Sequence, residues 1–177
     1  GVDLSVDIYF PAGQPWPLPV ILTRTPYDNM GEAVIDAAIY FAQNGYVFVA
    51  QDCRGRYDSD GEFDPWANEY NDGYDTIEWM GAQPWCDGNV GMHGGSYVGA
   101  VQWMAAATGS RYLKAIVPRV AGDNRHDAFP YQGGAFTLHL NATAAYFMAG
   151  RTLQKYDRFN WDRIFSTLPL RDIPSVG

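Results

Sequence analysis

Four short apolar runs, separated by stretches of helical spacing, constrain this chain more than any other feature. They are Leu18-Pro19-Val20-Ile21-Leu22-Thr23, Tyr46-Val47-Phe48-Val49-Ala50, Asn89-Val90-Gly91-Met92-His93 and Leu113-Lys114-Ala115-Ile116-Val117. The first two are continuous and β-branched, which suits strands covered on both faces. Between them Val34, Ala37, Ala38, Phe41 and Ala42 recur at helical spacing from about Glu32 to Asn44, and Gly45 stops the run. A second helix contains Ile77, Trp79 and Met80, with Asp72 as its cap and Pro84 beyond its end. Tyr97 to Thr108 is a third and is nearly all apolar, so it must be buried on most sides. This alternation predicts an α/β fold, a mostly parallel doubly wound sheet with right-handed crossovers. Leu4 to Phe10 alternates apolar and polar side chains before Pro11-Ala12-Gly13, the pattern of an edge strand in a hairpin arm.

After Pro118 the pattern changes. Residues 121–177 lack β-branched runs and hold short helical stretches, Phe136 to Gly150 and Trp161 to Leu168. The chain therefore divides into a sheet-bearing part, 1–120, and a helical excursion, 121–177. Apolar residues make up 47% and charged residues 18% of the 177, which excludes a disordered chain. The formal charge of −8 has the wrong sign for a phosphate backbone, so no nucleic-acid partner is expected. No apolar run approaches the roughly 18 residues of a membrane span, and Gly1 to Phe10 lacks a leader pattern. The expectation is a soluble protein with no membrane contact, cytoplasmic or secreted. Cys53 and Cys86 make neither a disulfide framework nor a metal motif; they read as two reduced core thiols or one bridge. Asn141-Ala142-Thr143 matches a glycosylation sequon by pattern alone.

The chemistry is concentrated in Gly91-Met92-His93-Gly94-Gly95-Ser96-Tyr97-Val98-Gly99, which lies between a strand and a helix. A serine on a sharp turn there exposes its hydroxyl at the carboxyl end of the sheet, with the following amides facing the same space. Gly94 removes a side chain that would collide in the turn, and Gly99 lets the helix approach the neighbouring strand. The second glycine of the usual G-x-S-x-G pattern comes one position late. A phosphate loop would need a G-K-[ST] ending, and a dinucleotide fingerprint belongs at the first strand, so neither fits. A Gly-rich turn with an inert serine is the remaining alternative.

Several further segments occur in a telling order: Thr23-Arg24-Thr25-Pro26-Tyr27-Asp28, Gln51-Asp52-Cys53-Arg54-Gly55-Arg56, Gly61-Glu62-Phe63, Asp75-Thr76-Ile77-Glu78-Trp79 and Pro84-Trp85-Cys86-Asp87-Gly88-Asn89-Val90-Gly91-Met92. With the elbow, the set resembles the X-Pro dipeptidyl-peptidase (S15) family of α/β-hydrolases, which includes cocaine esterase and α-amino acid ester hydrolase branches. The resemblance covers about residues 2–120. Beyond that, Leu168-Pro169-Leu170-Arg171-Asp172 is similar to the start of the family's helical cap. It implies an α/β-hydrolase fold, incomplete, with the beginning of a cap. It implies Ser96 as acyl-accepting nucleophile, with the Tyr27 hydroxyl and the Tyr97 backbone N–H as oxyanion donors and no metal or organic cofactor.

Other residues have weaker claims. Asp52, Arg54, Arg56, Asp58, Asp60 and Glu62 are either a substrate site or, more simply, a solvated loop knit by ion pairs. Val98, Gly99 and Ala100 after the elbow offer no carboxylate for an α-amino group. Phe129, Tyr131, Phe136, Tyr146 and Phe147 line an acyl pocket or simply pack a core. The resemblance places the triad acid and histidine after the cap, so none of His93, His126 and His139 matches the base. The expected activity is hydrolysis of a small ester, amide or short peptide, an X-Pro peptide included, through an acyl-Ser96 intermediate. The chain itself reads as a fragment that associates as a homo-oligomer or with a complementing C-terminal part. A non-catalytic binding or structural fragment is the alternative.

Overall fold

The apolar runs become the strands of one twisted sheet, and its strand order decides where a site can form. The computed structural model describes residues 1–122, 124, 126 and 130–176. These fall into two compact units, Gly1–Asp123 and Asn124–Gly177. In the first, the order is β1 (Val6–Tyr9), β2 (Leu18–Thr25), α1 (Glu32–Gln43), β3 (Val47–Asp52), α2 (Glu69–Gly81), β4 (Cys86–Gly95), α3 (Tyr97–Ala107) and β5 (Leu113–Arg119).

The sheet runs β1-β3-β2-β4-β5. All neighbours are parallel except β1, which lies antiparallel to β3 with Ile8 opposite Val49. β1 is thus an edge strand but not a hairpin arm, because β3 crosses over α1 and inserts beside it. The chain leaves β2 toward β3 on one side and leaves β4 toward β5 on the other. With right-handed crossovers this sends α1 to one face and α2 and α3 to the opposite one. The contacts agree: α1 packs on β1 and β3, whereas α2 and α3 pack on each other and on β4. Such a reversal opens a crevice outside the carboxyl ends of β2 and β4.

The core follows from the strand types. β3 is buried at all six positions, as its unbroken apolar run predicts for a strand covered twice. Val20 and Leu22 of β2, Ile77 and Met80 of α2, Val90 of β4 and Val101 of α3 are fully buried. Each contributes about 1.5–3 kcal/mol relative to an exposed side chain. α3 buries seven of its eleven residues, and Trp103 emerges on its outer side. β5, the other edge, buries no residue fully: Leu113, Ile116 and Pro118 are half-buried and the remaining four are exposed.

One boundary differs from expectation. α2 begins at Glu69 rather than after Asp72, and its cap position, Asn68, makes no side-chain cap. Asp72 lies inside the first turn, buried, with its carboxylate taken by Arg54. A tertiary ion pair has replaced the local cap.

The second unit holds a two-stranded ladder, β6 (Tyr131–Gln132) with β7 (Ala135–Phe136), then α4 (Leu138–Phe147), a 3-10 turn at Tyr156–Arg158, α5 (Trp161–Ser166) and a 3-10 turn at Leu170–Ser175. Tyr146 packs on Phe159 and Trp161, and its hydroxyl donates to the Ile173 carbonyl at 2.9 Å. That is core packing for Tyr146, whereas Tyr131 and Phe136 are exposed and touch each other. Phe129 lies outside the described residues. The sequon amide of Asn141 donates to the Pro130 and Thr137 carbonyls, so its nitrogen is engaged in the helix entry.

Candidate active site

Ser96 sits between β4 and α3 with φ 60° and ψ −127°, a conformation that costs of order 1–3 kcal/mol for a residue with a side chain. Hydrogen bonds hold it there. Its N–H donates to the Arg119 carbonyl of β5 at 2.9 Å, and its carbonyl accepts the N–H groups of Gly99 and Ala100 at 2.9 and 3.0 Å. Gly94, at φ 145°, has no room for a Cβ, which would overlap the Val98 side chain. A Cβ on Gly99 would lie 2.9 Å from the Arg119 carbonyl oxygen and 2.7 Å from the Ala121 Cβ. The late glycine of the motif therefore marks a close approach of α3 to the end of β5. Ser96 itself is exposed, and Tyr97, as the first residue of α3, has an amide without an intrahelical acceptor.

Tyr27 follows β2, which pairs directly with β4, so the two turns meet across the crevice. The Tyr27 hydroxyl lies 3.3 Å from Ser96 Oγ, and either can donate. The loop is held from below by the segment after β3. Buried Arg56 donates from Nε to the Pro26 carbonyl at 2.9 Å, and buried Asp52 accepts the Asn29 N–H through Oδ1 at 2.9 Å. Asp52 also receives the Asp58 N–H, and its backbone carbonyl accepts the Ser59 hydroxyl. Burial pushes the Asp52 carboxyl up to about 6, aided by the charges of Asp28 and Asp58 and opposed by the two amides. Burial likewise lowers the Arg56 guanidinium. Residues 52–59 are thus in large part a buried support for the Tyr27 loop, not a solvated one; of the six charged residues singled out between Asp52 and Glu62, Asp58, Asp60 and Glu62 are the exposed ones.

Beneath the elbow lies a group of buried charges. Arg24, fully buried in β2, pairs through Nη1 with Glu69 Oε2 at 2.7 Å and donates from Nε to Gln51 Oε1 at 2.7 Å. Asp72 Oδ2 is 3.9 Å from its Nη2. Burial works against the Arg24 charge, but Glu69, Cys53 and Asp72 outweigh it and keep its pKa raised. Removing one member of such a pair costs about 3–5 kcal/mol. Glu69 Oε1 accepts the Tyr97 hydroxyl at 2.8 Å, and the Trp66 N–H donates to that hydroxyl at 3.1 Å. The Tyr97 ring stacks on Trp66 at 4.0 Å and meets the Tyr27 ring edge-on at 6.5 Å.

The structure brings Ser96, Tyr27 and Tyr97 together. His93 is half-buried in β4, its ring set edge-on to Phe41 of α1 at 5.4 Å, and burial followed by Arg119 lowers its pKa. His126 and His139 belong to the second unit, where His139 stacks on Phe165. Cys53 and Cys86 are free and buried, with thiol pKa values raised by burial. Among the described residues no cluster of metal-ligating side chains occurs, and none of their helices is long and apolar enough to cross a membrane. The sequence reading missed Glu69. Its signal was Arg24, a charge inside an apolar central strand that has to find a carboxylate.

This arrangement, a strand-turn-helix serine beside a tyrosine at the sheet's reversal point, has relatives. The family model of X-Pro dipeptidyl-peptidase (S15 family) matches residues 1–165. The chain belongs to the X-Pro dipeptidyl-peptidase (S15) family. Cocaine esterase of Rhodococcus sp. (strain MB1 Bresler) is 42% identical over 146 residues, covering 80% of this chain and 25% of that protein. A crystal structure of an aminopeptidase from a marine sediment Thaumarchaeota archaeon superposes with TM-score 0.77 and 25% identity, over the whole chain and 35% of the other. An α-amino acid ester hydrolase structure gives TM-score 0.72 and 28% identity over 88% of the chain and 30% of its own. The chain thus spans about a quarter of the length of cocaine esterase. Its fold is that of the α/β-hydrolases, and its relatives are hydrolases of the esterase and peptidase type.

Proposed function

We propose that Ser96 is the nucleophile of a hydrolase that cleaves an ester or amide by acyl transfer to water. The observation that carries this is the Tyr27 hydroxyl 3.3 Å from Ser96 Oγ, across the crevice from the amide that opens α3. Oγ attacks the carbonyl carbon as its proton passes to a base, and the carbonyl oxygen becomes an oxyanion facing the Tyr27 hydroxyl and the Tyr97 N–H. These donors are in place before charge develops, so they need no reorganisation in the transition state. Collapse expels the alcohol or amine, which takes the proton from the base. Water then attacks acyl-Ser96 by the same route, releasing the acid and restoring Oγ–H. In this reading the base and its orienting acid come from the part of the relatives that the chain does not span, not from His93, His126 or His139.

The 42% identity to cocaine esterase favours an acyl ester as substrate over an X-Pro peptide. Val98, Gly99 and Ala100 supply no carboxylate for an α-amino group, which argues against an α-amino acid ester. An active-site phosphonate tests the assignment. The full-length protein is expected to label at Ser96, and Ser96→Ala to abolish both labelling and turnover of p-nitrophenyl esters. Labelling that persists in the alanine variant would transfer the role to another residue, and absence of any ester or amide turnover would favour a binding role.

A further inference from the structure

The buried charges beneath the elbow take no part in the steps above, yet they connect both oxyanion donors. Tyr97 carries one donor on its backbone and makes its strongest side-chain contact with its hydroxyl, 2.8 Å from Glu69 Oε1. Glu69 is held in turn by Arg24, through Nη1 to Oε2 at 2.7 Å and through Nη1 to the Glu69 carbonyl at 3.2 Å. Arg24 lies on β2, three residues before Tyr27, which carries the other donor. One chain of contacts therefore runs from the Tyr27 strand through Arg24 and Glu69 to the Tyr97 phenol and back to the elbow.

We infer that Glu69 is a positioning residue: anchored by Arg24, its carboxylate holds the Tyr97 hydroxyl and so fixes the Tyr97 N–H relative to the Tyr27 hydroxyl. The inference rests on the proposed function and deepens it. Three fixings leave the Tyr97 ring one location: the Glu69 bond, the Trp66 N–H at 3.1 Å and the stack on Trp66. With the ring fixed, the start of α3 follows it, and so does the amide. Burial and Glu69 raise the Tyr97 pKa, so the phenol remains a donor and the tether does not titrate with the reaction. An apolar pair of similar volume would fill this space without desolvating a carboxylate and a guanidinium. What the charged arrangement adds is direction, because a carboxylate fixed by a guanidinium accepts the phenol proton from one side only.

The test uses the full-length protein and two variants. Tyr97→Phe deletes the tether and leaves the Arg24–Glu69 pair intact; Glu69→Asp keeps the charge for Arg24 but draws the carboxylate back from the phenol. In each, kcat per titrated active site is expected to fall about 10- to 100-fold, the range for a misplaced catalytic group. KM for a neutral ester is expected to stay within about twofold. Affinity for phenylboronic acid, whose adduct with Ser96 is tetrahedral and anionic, should fall in step with kcat. In a Tyr27→Phe background Tyr97→Phe should cost less than it does alone, because the hole already lacks a donor. A merely structural role lowers the titrated fraction and the melting temperature and leaves kcat per site and boronate affinity unchanged; that result in the folded variant overturns the inference. If only Glu69→Asp folds, its kcat and boronate affinity decide. Turnover that survives Ser96→Ala overturns the proposed function itself, whereas Ser96-dependent turnover indifferent to both variants overturns this inference alone.

Discussion

Tyr27→Phe is the most direct probe of the oxyanion assignment, because the structure shows how little else the change removes. The ring's edge-on contact with Tyr97 does not need the hydroxyl, and neither does the Tyr27 N–H bond to Thr25 Oγ1 at 2.9 Å. The Arg56 bond to the Pro26 carbonyl and the Asn29 bond to Asp52 hold the backbone on either side. The hydroxyl's partner, Ser96 Oγ, is solvent-exposed, so no buried group is left unpaired. The expected change in folding stability is therefore within about 0.5 kcal/mol. If the hydroxyl stabilises the tetrahedral intermediate, its removal lowers kcat by about 10²- to 10³-fold, or about 2.7–4 kcal/mol, as for loss of one preorganised donor. KM changes little, because the bond tightens as charge develops and contributes little to ground-state binding. The assay is the acylation burst of the full-length protein with a p-nitrophenyl ester, normalised by active-site titration, alongside thermal unfolding. A burst rate within about threefold of wild type at an unchanged melting temperature would assign Tyr27 to the scaffold and leave the oxyanion to backbone amides.

Two further outcomes follow from the support of that loop and from the elbow. The Asp52 carboxyl is raised from 3.8 to about 6, chiefly by burial, so between these values the folded state binds the extra proton. Its contribution to stability is present below about pH 4 and is lost as pH rises through about 6, on the order of 3 kcal/mol. Asp52→Asn should flatten that slope in urea unfolding between pH 4 and 7; an unchanged slope would show that the carboxyl titrates normally. Gly94→Ala places a Cβ on Val98 at φ 145° and should destabilise by about 3 kcal/mol or more. Adding Val98→Ala should recover only the packing part in chemical denaturation, and full recovery would mean that the backbone there is unstrained.

The sequence made the sheet and the elbow legible because both are written locally. Apolar runs of strand length lie next to stretches of helical period, and Gly94, Ser96 and Gly99 fall within one turn. Strand order then brings Tyr27 to Ser96 with little freedom left. The segment after β3 was misread because its Arg and Asp residues look like a solvated loop, whereas Arg54 and Arg56 find partners 18 and 30 residues away. No local period records such pairings. The same holds for Asp72: capping is a local rule, and the long-range pair with Arg54 overrides it. The alternation of Leu4 to Phe10 and the break at Pro11-Ala12-Gly13 suit a hairpin arm, yet the α1 crossover places β3 between β1 and β2.

The reversal of strand order also has a kinetic consequence. Tyr27 and Ser96 are 69 residues apart in the chain, and neither β2 nor β4 has a hairpin partner from which to grow. Their turns can meet only after two crossovers have closed around β2, and closing such long loops is entropically unfavourable until the sheet rewards it. Phosphonate reactivity at Ser96 should therefore appear late in refolding, after the gain of helical signal, which would make the candidate nucleophile a reporter on completion of the sheet around it.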